Sequence, residues 1–90
     1  MYVVRIAPAT LKALEKLKRR VHPVDFDRLL RAIDSLADEP RPHVVLKLKG
    51  TENGYRVRVG EYRVIYRVDD QERMVSVGRV RRRDESTYDL

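Results

Sequence analysis

Apolar positions along this chain change their spacing twice, and each change marks an element. Tyr2, Val4 and Ile6 alternate with Val3 and Arg5, which predicts a short strand over Tyr2 to Ala7. Pro8 suits the first turn of a helix, where its missing N–H costs nothing. From there Leu11, Leu14, Leu17 and Val21 form a narrow apolar stripe, with Lys12, Lys16, Lys18, Arg19 and Arg20 largely outside it. The helix is expected to end near Val21, because His22 precedes Pro23 and a residue before proline is pushed out of helical geometry. A second helix is written in Phe26, Leu29, Leu30, Ile33, Leu36 and Ala37, the spacing of a buried face. Asp27 and Arg31 pair on its exposed side, and Pro40 and Pro42 close it. Two helices joined by a short proline turn make a hairpin whose apolar stripe needs a sheet to cover.

The rest of the chain reads as strands. Val44, Leu46 and Leu48 alternate with Val45, Lys47 and Lys49 until Gly50 breaks the run. Tyr55, Val57 and Val59 alternate with Arg56 and Arg58, and Tyr62, Val64, Tyr66 and Val68 alternate with Arg63, Ile65 and Arg67. Asp69 to Arg73 turns the chain, Met74 to Val80 forms a last strand, and Arg81 to Leu90 is a polar tail, loop or short helix. No repeat, linker or low-complexity segment interrupts this order. The expected architecture is therefore one α+β domain over residues 1–90: an N-terminal strand, a two-helix hairpin, then an antiparallel sheet of three to four strands.

Gly60-Glu61 between two alternating runs reads as a two-residue hairpin turn. That turn pairs Val59 with Tyr62, Arg58 with Arg63, Val57 with Val64 and Arg56 with Ile65. Val57, Val59, Val64 and the tyrosines then lie under the helices, while Arg56, Arg58, Arg63 and Arg67 gather on the opposite face around Ile65. A four-residue loop over Asp69 to Glu72 would pair Tyr66 with Val75, Val64 with Val77 and Arg63 with Gly78, which leaves room above Arg63. Like charges placed directly across a sheet are destabilising, so fold stability gives no reason for Arg58 to face Arg63. A bound polyanion does, since each guanidinium can neutralise and hydrogen-bond a phosphate. The bland alternative is a solvated face whose arginines splay into water. The run Arg79, Arg81, Arg82 and Arg83, followed by Tyr88, extends the basic surface from the last strand. Such a run is ordinarily a solvated arm; beside the arginine face, Tyr88 also suits base stacking or proton transfer.

Composition adds direction. The chain has 90 residues and a net charge of +6, so a polyanionic partner fits: nucleic acid, an anionic surface or an acidic protein. Arginine outnumbers lysine 15 to 5, and its planar fork binds phosphate in a bidentate way; an arginine-rich proteome is the other source of such a bias. A chain this short buries only about 60% of its unfolded surface, so a partner covering apolar groups would add materially to stability. Cysteine is absent, which excludes disulfide and thiolate chemistry and fits a reducing, cytoplasmic setting. No apolar run approaches a membrane span, and Met1-Tyr2-Val3-Val4-Arg5 is not a signal peptide, so no membrane role is expected. His22 and His43 flank the helices, far in sequence from the arginines. No metal-ligand spacing, P-loop or Gly-x-Ser-x-Gly elbow occurs, and neither metal nor cofactor is expected.

Leu46-Lys47-Leu48-Lys49-Gly50, and the run from Gly54 through Arg63 to Tyr66, closely resemble the core of the RelE/ParE toxin superfamily. Val77-Gly78, followed by an arginine cluster and a tyrosine, resembles its C-terminal motif. The RelE branch implies the toxin of a type II toxin–antitoxin system. It implies a metal-independent endoribonuclease that cuts messenger RNA on the ribosome by attack of a ribose 2′-OH on the adjacent phosphate. The resemblance assigns Arg63 to phosphate stabilisation, Arg82 (or Arg83) to the C-terminal catalytic arginine, and Tyr88 to orienting the nucleotide. Arg58 joins this set, with Arg56, Lys47, Lys49, Arg67, Arg81 and Arg83 as substrate-binding residues. Where the family's best-studied type has lysines, this chain has Arg56 and Arg58, which stay protonated and serve as electrostatic stabilisers. The general base is unassigned, with Glu85 nearby. Expected partners are a cognate antitoxin, in a toxin–antitoxin hetero-oligomer, and the ribosome with its mRNA. A ParE-like inhibitor of DNA gyrase and a non-catalytic basic RNA-binding module are the alternatives.

Overall fold

A computed structural model of the chain describes residues 1–43 and 45–82. Strand β1 (Val3–Ile6) leads into helices α1 (Pro8–Lys18) and α2 (Pro23–Ser35), and β2 (Leu46–Lys47), β3 (Gly54–Val59), β4 (Tyr62–Asp69) and β5 (Met74–Arg82) follow. The strands form one five-stranded sheet in the order β1-β5-β4-β3-β2. The expected helical hairpin and antiparallel sheet are both present. The N-terminal strand adds a fifth member, lying beside β5 and running parallel to it.

Local chemistry accounts for the helix ends. Pro8 and Pro23 each open a helix, and His22 caps α2 by accepting the Val24 N–H at Nδ1, 3.1 Å away. Helix α1 ends at Lys18, earlier than its apolar stripe suggests, and a tight turn carries the chain on, with Val21 N–H still bonded to Leu17 O at 3.1 Å. The buried side of α1 is set by Thr10 and Leu14, whereas Leu11 is 47% exposed. In α2 the buried residues are Phe26, Leu29 and Ile33, continued by Leu36, and Leu30 lies on the flank. The expected pair Arg31–Asp27 forms at 2.8 Å between exposed side chains, a geometry worth only a few tenths of a kcal/mol.

These helix residues pack on alternate sheet positions. Val57, Tyr62, Val64, Tyr66, Val68, Val75 and Val77 are buried in the same cluster as Leu14, Phe26, Leu29, Ile33 and Leu36. Burial of each such side chain contributes about 1.5–3 kcal/mol, which makes this two-layer contact the main source of stability. The β3–β4 register matches the expectation residue for residue, including Arg58 opposite Arg63 and Arg56 opposite Ile65.

The β4–β5 register differs. Asp69 pairs with Met74, Val68 with Val75 and Tyr66 with Val77, so the connecting loop starts one residue later than expected. Asp69 accepts the Glu72 N–H at 3.0 Å and Arg73 adopts φ 52°, which together close that loop. Beyond Tyr66 the ladder slips: Ile65 pairs with Arg79, Val64 with Val80 and Arg63 with Arg81. Gly78 is the extra residue of a β-bulge and does not stand opposite Arg63. Strand β2 is also shorter than its alternating pattern, and Leu46 is 55% exposed at this edge; Val44 lies outside the described residues.

Candidate nucleic-acid interface

Directly paired residues share a face of the sheet, so the registers define what lies opposite the helices. Arg58, Arg63 and Arg81 stand in one row across β3, β4 and β5. Next to it, Leu46, Arg56, Ile65 and Arg79 form a second row. A third carries Gly54, Arg67, Ser76 and Arg5. Arg56, Arg63 and Arg81 are half-buried, whereas Arg58, Arg67 and Arg79 are exposed. Adjacent strands lie roughly 4.8 Å apart, so neighbouring guanidinium groups in a row can reach one phosphate or two consecutive ones.

A groove of about 610 Å³ runs along this face, with Leu48, Ile65 and Gly78 among its apolar lining and Arg5, Arg67 and Arg79 among its charged lining. Its lining is thus part apolar and part cationic. A second hollow of about 360 Å³ lies at the far end of the sheet, between Arg20, Arg28 and Arg82 but also against Asp25 and Glu61. Those carboxylates would repel a phosphate, so the arginine face is the better anion surface.

The structure separates several of the residues expected to act together. Arg56, Arg58, Arg63, Arg67 and Arg81 share the face. Arg82 does not: it pairs with Tyr62 on the helix side, with Nη2 3.8 Å from the Glu61 carboxylate. The bulge turns Arg81 to this face, across from Arg63, and Arg82 to the other. Lys47 pairs with Tyr55 and so lies on the helix side of the sheet, while Lys49 is exposed in the loop after β2. Arg83, Glu85 and Tyr88 lie outside the described residues. Arg5 was not foreseen. Its polar side of β1 was evident from alternation, but its approach to the face depends on the parallel β1–β5 pairing, which local pattern does not encode.

The buried tyrosines have structural partners. Tyr66 stacks on Tyr55, ring centroids 5.9 Å apart, and donates its hydroxyl to Pro40 O at 2.7 Å. Burial pushes the Tyr66 phenol up to about 12, so it stays protonated under the helices and is no candidate for proton transfer. At the margin of the same layer, Arg41 donates to both Asp70 oxygens, 2.8 and 3.2 Å, and to the Tyr55 hydroxyl at 3.0 Å. Tyr2 donates to Asp70 as well. Hydrogen bonding from Arg41, then from Tyr2, holds the Asp70 carboxyl below its usual range, and the same bond to Asp70 raises the Tyr2 phenol.

Fold and site thus define a small basic α+β protein in which a helical hairpin covers one side of a sheet and arginines line the other. The profile of the ParE toxin of type II toxin–antitoxin systems matches residues 4–87, and the chain belongs to this RelE/ParE toxin family. It is 31% identical over 84 residues to RelE1 of Methanocaldococcus jannaschii, covering 90% of this chain and 89% of that protein. The toxin in the archaeal RelE–RelB complex from Pyrococcus horikoshii OT3 superimposes with a TM-score of 0.76 at 33% identity, covering 91% of this chain and 94% of that one. The RelBE2 toxin–antitoxin complex of Mycobacterium tuberculosis gives 0.74 at 27% identity, covering 91% and 98%.

Proposed function

We propose that this toxin is a ribosome-dependent endoribonuclease acting on messenger RNA without a metal ion. The observation that carries the reading is the row Arg58–Arg63–Arg81 on the side of the sheet away from the helices. In the reaction the ribose 2′-oxygen attacks its own phosphorus and loses its proton to a base, while the bond to the 5′-oxygen breaks and that oxygen takes up a proton. The products are a 2′,3′-cyclic phosphate and a free 5′-OH. Negative charge builds on the phosphoryl oxygens, where preorganised cationic donors are most effective. Arg63 and Arg81 stabilise that charge, and Arg56, Arg58 and Arg67 hold the flanking backbone. Tyr88 orients the nucleotide. Much of the acceleration comes from aligning the 2′-OH with the scissile bond, to which the ribosome contributes in the cytoplasm.

The proposed partner off the ribosome is a cognate antitoxin, forming a hetero-oligomer. Support comes from the solved RelE–RelB and RelBE2 complexes and from the groove, whose apolar and arginine lining residues suit an amphipathic, acidic segment. A second reading, a ParE-like gyrase inhibitor, is favoured by the family profile that the chain matches.

Primer extension on mRNA translated by purified ribosomes separates the two. Cleavage within decoding-site codons supports the nuclease, and loss of about 10²–10³ in rate for Arg63→Ala or Arg81→Ala is expected if either donor serves the charged phosphate. Intact mRNA together with trapped gyrase–DNA complexes would sink the nuclease assignment in favour of the second reading.

A further inference from the structure

We infer that Thr10, on the first helix, is a positioning residue for the arginine face, acting through the bulge in β5; this rests on the ribonuclease reading for its purpose. Thr10 is the buried polar residue of the core among the described residues, 5% exposed. Its Oγ1 donates to the carbonyl oxygen of Gly78 at 2.7 Å. The preceding carbonyl, of Val77, accepts the Ala7 N–H at 3.0 Å. The junction between β1 and α1 therefore holds both carbonyls where β5 leaves its first register.

What the bulge decides is the direction of the arginines. Below it Tyr66 pairs with Val77; an uninterrupted ladder would next pair Ile65 with Gly78, Val64 with Arg79 and Arg63 with Val80. Arg79 would then point into the core beside Val64, which is 0% exposed, and Val80 would point to solvent. The extra residue reverses this. Val80 packs against the core, and Arg79 and Arg81 turn to the side of Ile65 and Arg63. The glycine is not what holds the bulge, because Gly78 has no left-handed φ and an added Cβ would meet only Ile65 O at 3.9 Å. The Thr10 hydroxyl, by contrast, is a donor on a buried side chain aimed at the bulge carbonyl, and removing it takes away the bond that ties this carbonyl to α1.

The test compares Thr10→Val, which keeps the shape and removes the donor, with Thr10→Ser, which keeps the donor. Thr10→Ala, which gains helix propensity, takes the place of the valine variant if that one does not fold. Cross-strand NOEs between Ile65 and Arg79 and between Arg63 and Arg81 report the register directly. The salt dependence of binding to a single-stranded RNA oligonucleotide reports aligned phosphate contacts, at a slope of about 0.7 per contact. In Thr10→Val the NOEs should weaken or split, the slope should fall by about 1.4 (two arginines), and ribosomal mRNA cleavage should drop at least tenfold. Thr10→Ser should restore all three. Wild-type NOEs and slope in a folded Thr10→Val protein overturn the inference. If wild-type protein neither binds nor cuts RNA while Thr10→Val still loses the register, the nuclease reading falls and the assignment of Thr10 to the bulge stands.

Discussion

At the scale of single residues, the sheet face away from the helices carries like charges side by side, which stability alone would not select. Arg58 and Arg63 are direct partners, and like charges placed directly opposite each other repel. Thr is a good strand residue on a solvent face, so Arg58→Thr should leave the thermal midpoint unchanged or higher while weakening binding to RNA. Calorimetry alongside a filter-binding assay checks this, and a lowered midpoint would show that Arg58 serves the fold. Tyr66 is the opposite case. Its folded phenol titrates near 12 against an ordinary value near 10, and the neutral form is the one folding favours. The associated stability, about 2–3 kcal/mol, is fully present below pH 10 and is lost as pH rises through 12. Tyr66→Phe should remove this alkaline step from a denaturation series and cost about 0.5–1.5 kcal/mol at neutral pH for the bond to Pro40.

Between elements, the Arg41–Asp70–Tyr2 cluster ties the start of β1 to the segment after α2 and to the β4–β5 turn. Asp70 has a depressed folded pKa, so its contribution is present above the ordinary carboxylate range and is lost as pH falls through the folded value. Asp70→Asn should therefore flatten the acid limb of the stability curve, as followed by circular dichroism from neutral pH downward. The elements themselves were legible in the sequence because each rests on local spacing: Phe26-Leu29-Ile33 for α2, and the paired alternation about Gly60 for the β3–β4 hairpin. The β4–β5 register was less so. Val75 and Val77 are spaced by two but Val80 follows by three, a break around Gly78 that signals a bulge. The expected four-residue loop would place Gly78 opposite Arg63, whereas the later loop and the bulge place Arg81 there. Neither the parallel place of β1 nor the reach of Thr10 to Gly78 has any local signature, since both join residues far apart in the chain.

For the whole molecule, the question is whether binding depends on net charge or on where it sits. The +6 charge is distributed over both layers. Helix α1 contributes the exposed Lys12 and Lys16, while the sheet contributes Arg56 and Arg58. Counterion release counts only cations that meet phosphates, with a slope of roughly 0.7 per contact for single strands. Lys12→Gln with Lys16→Gln and Arg56→Gln with Arg58→Gln remove the same charge from opposite sides of one fold. If the sheet face is the interface, the first pair should leave the slope of log K against log salt unchanged, and the second should lower it by about 1.4. With four phosphate contacts, wild-type affinity for an RNA oligonucleotide should fall about 50-fold between 50 and 200 mM salt, and the sheet variant's only about sevenfold. Equal losses from both pairs would mean that RNA senses the domain as a diffuse cation, and that the rows of arginine have no special part in recognition.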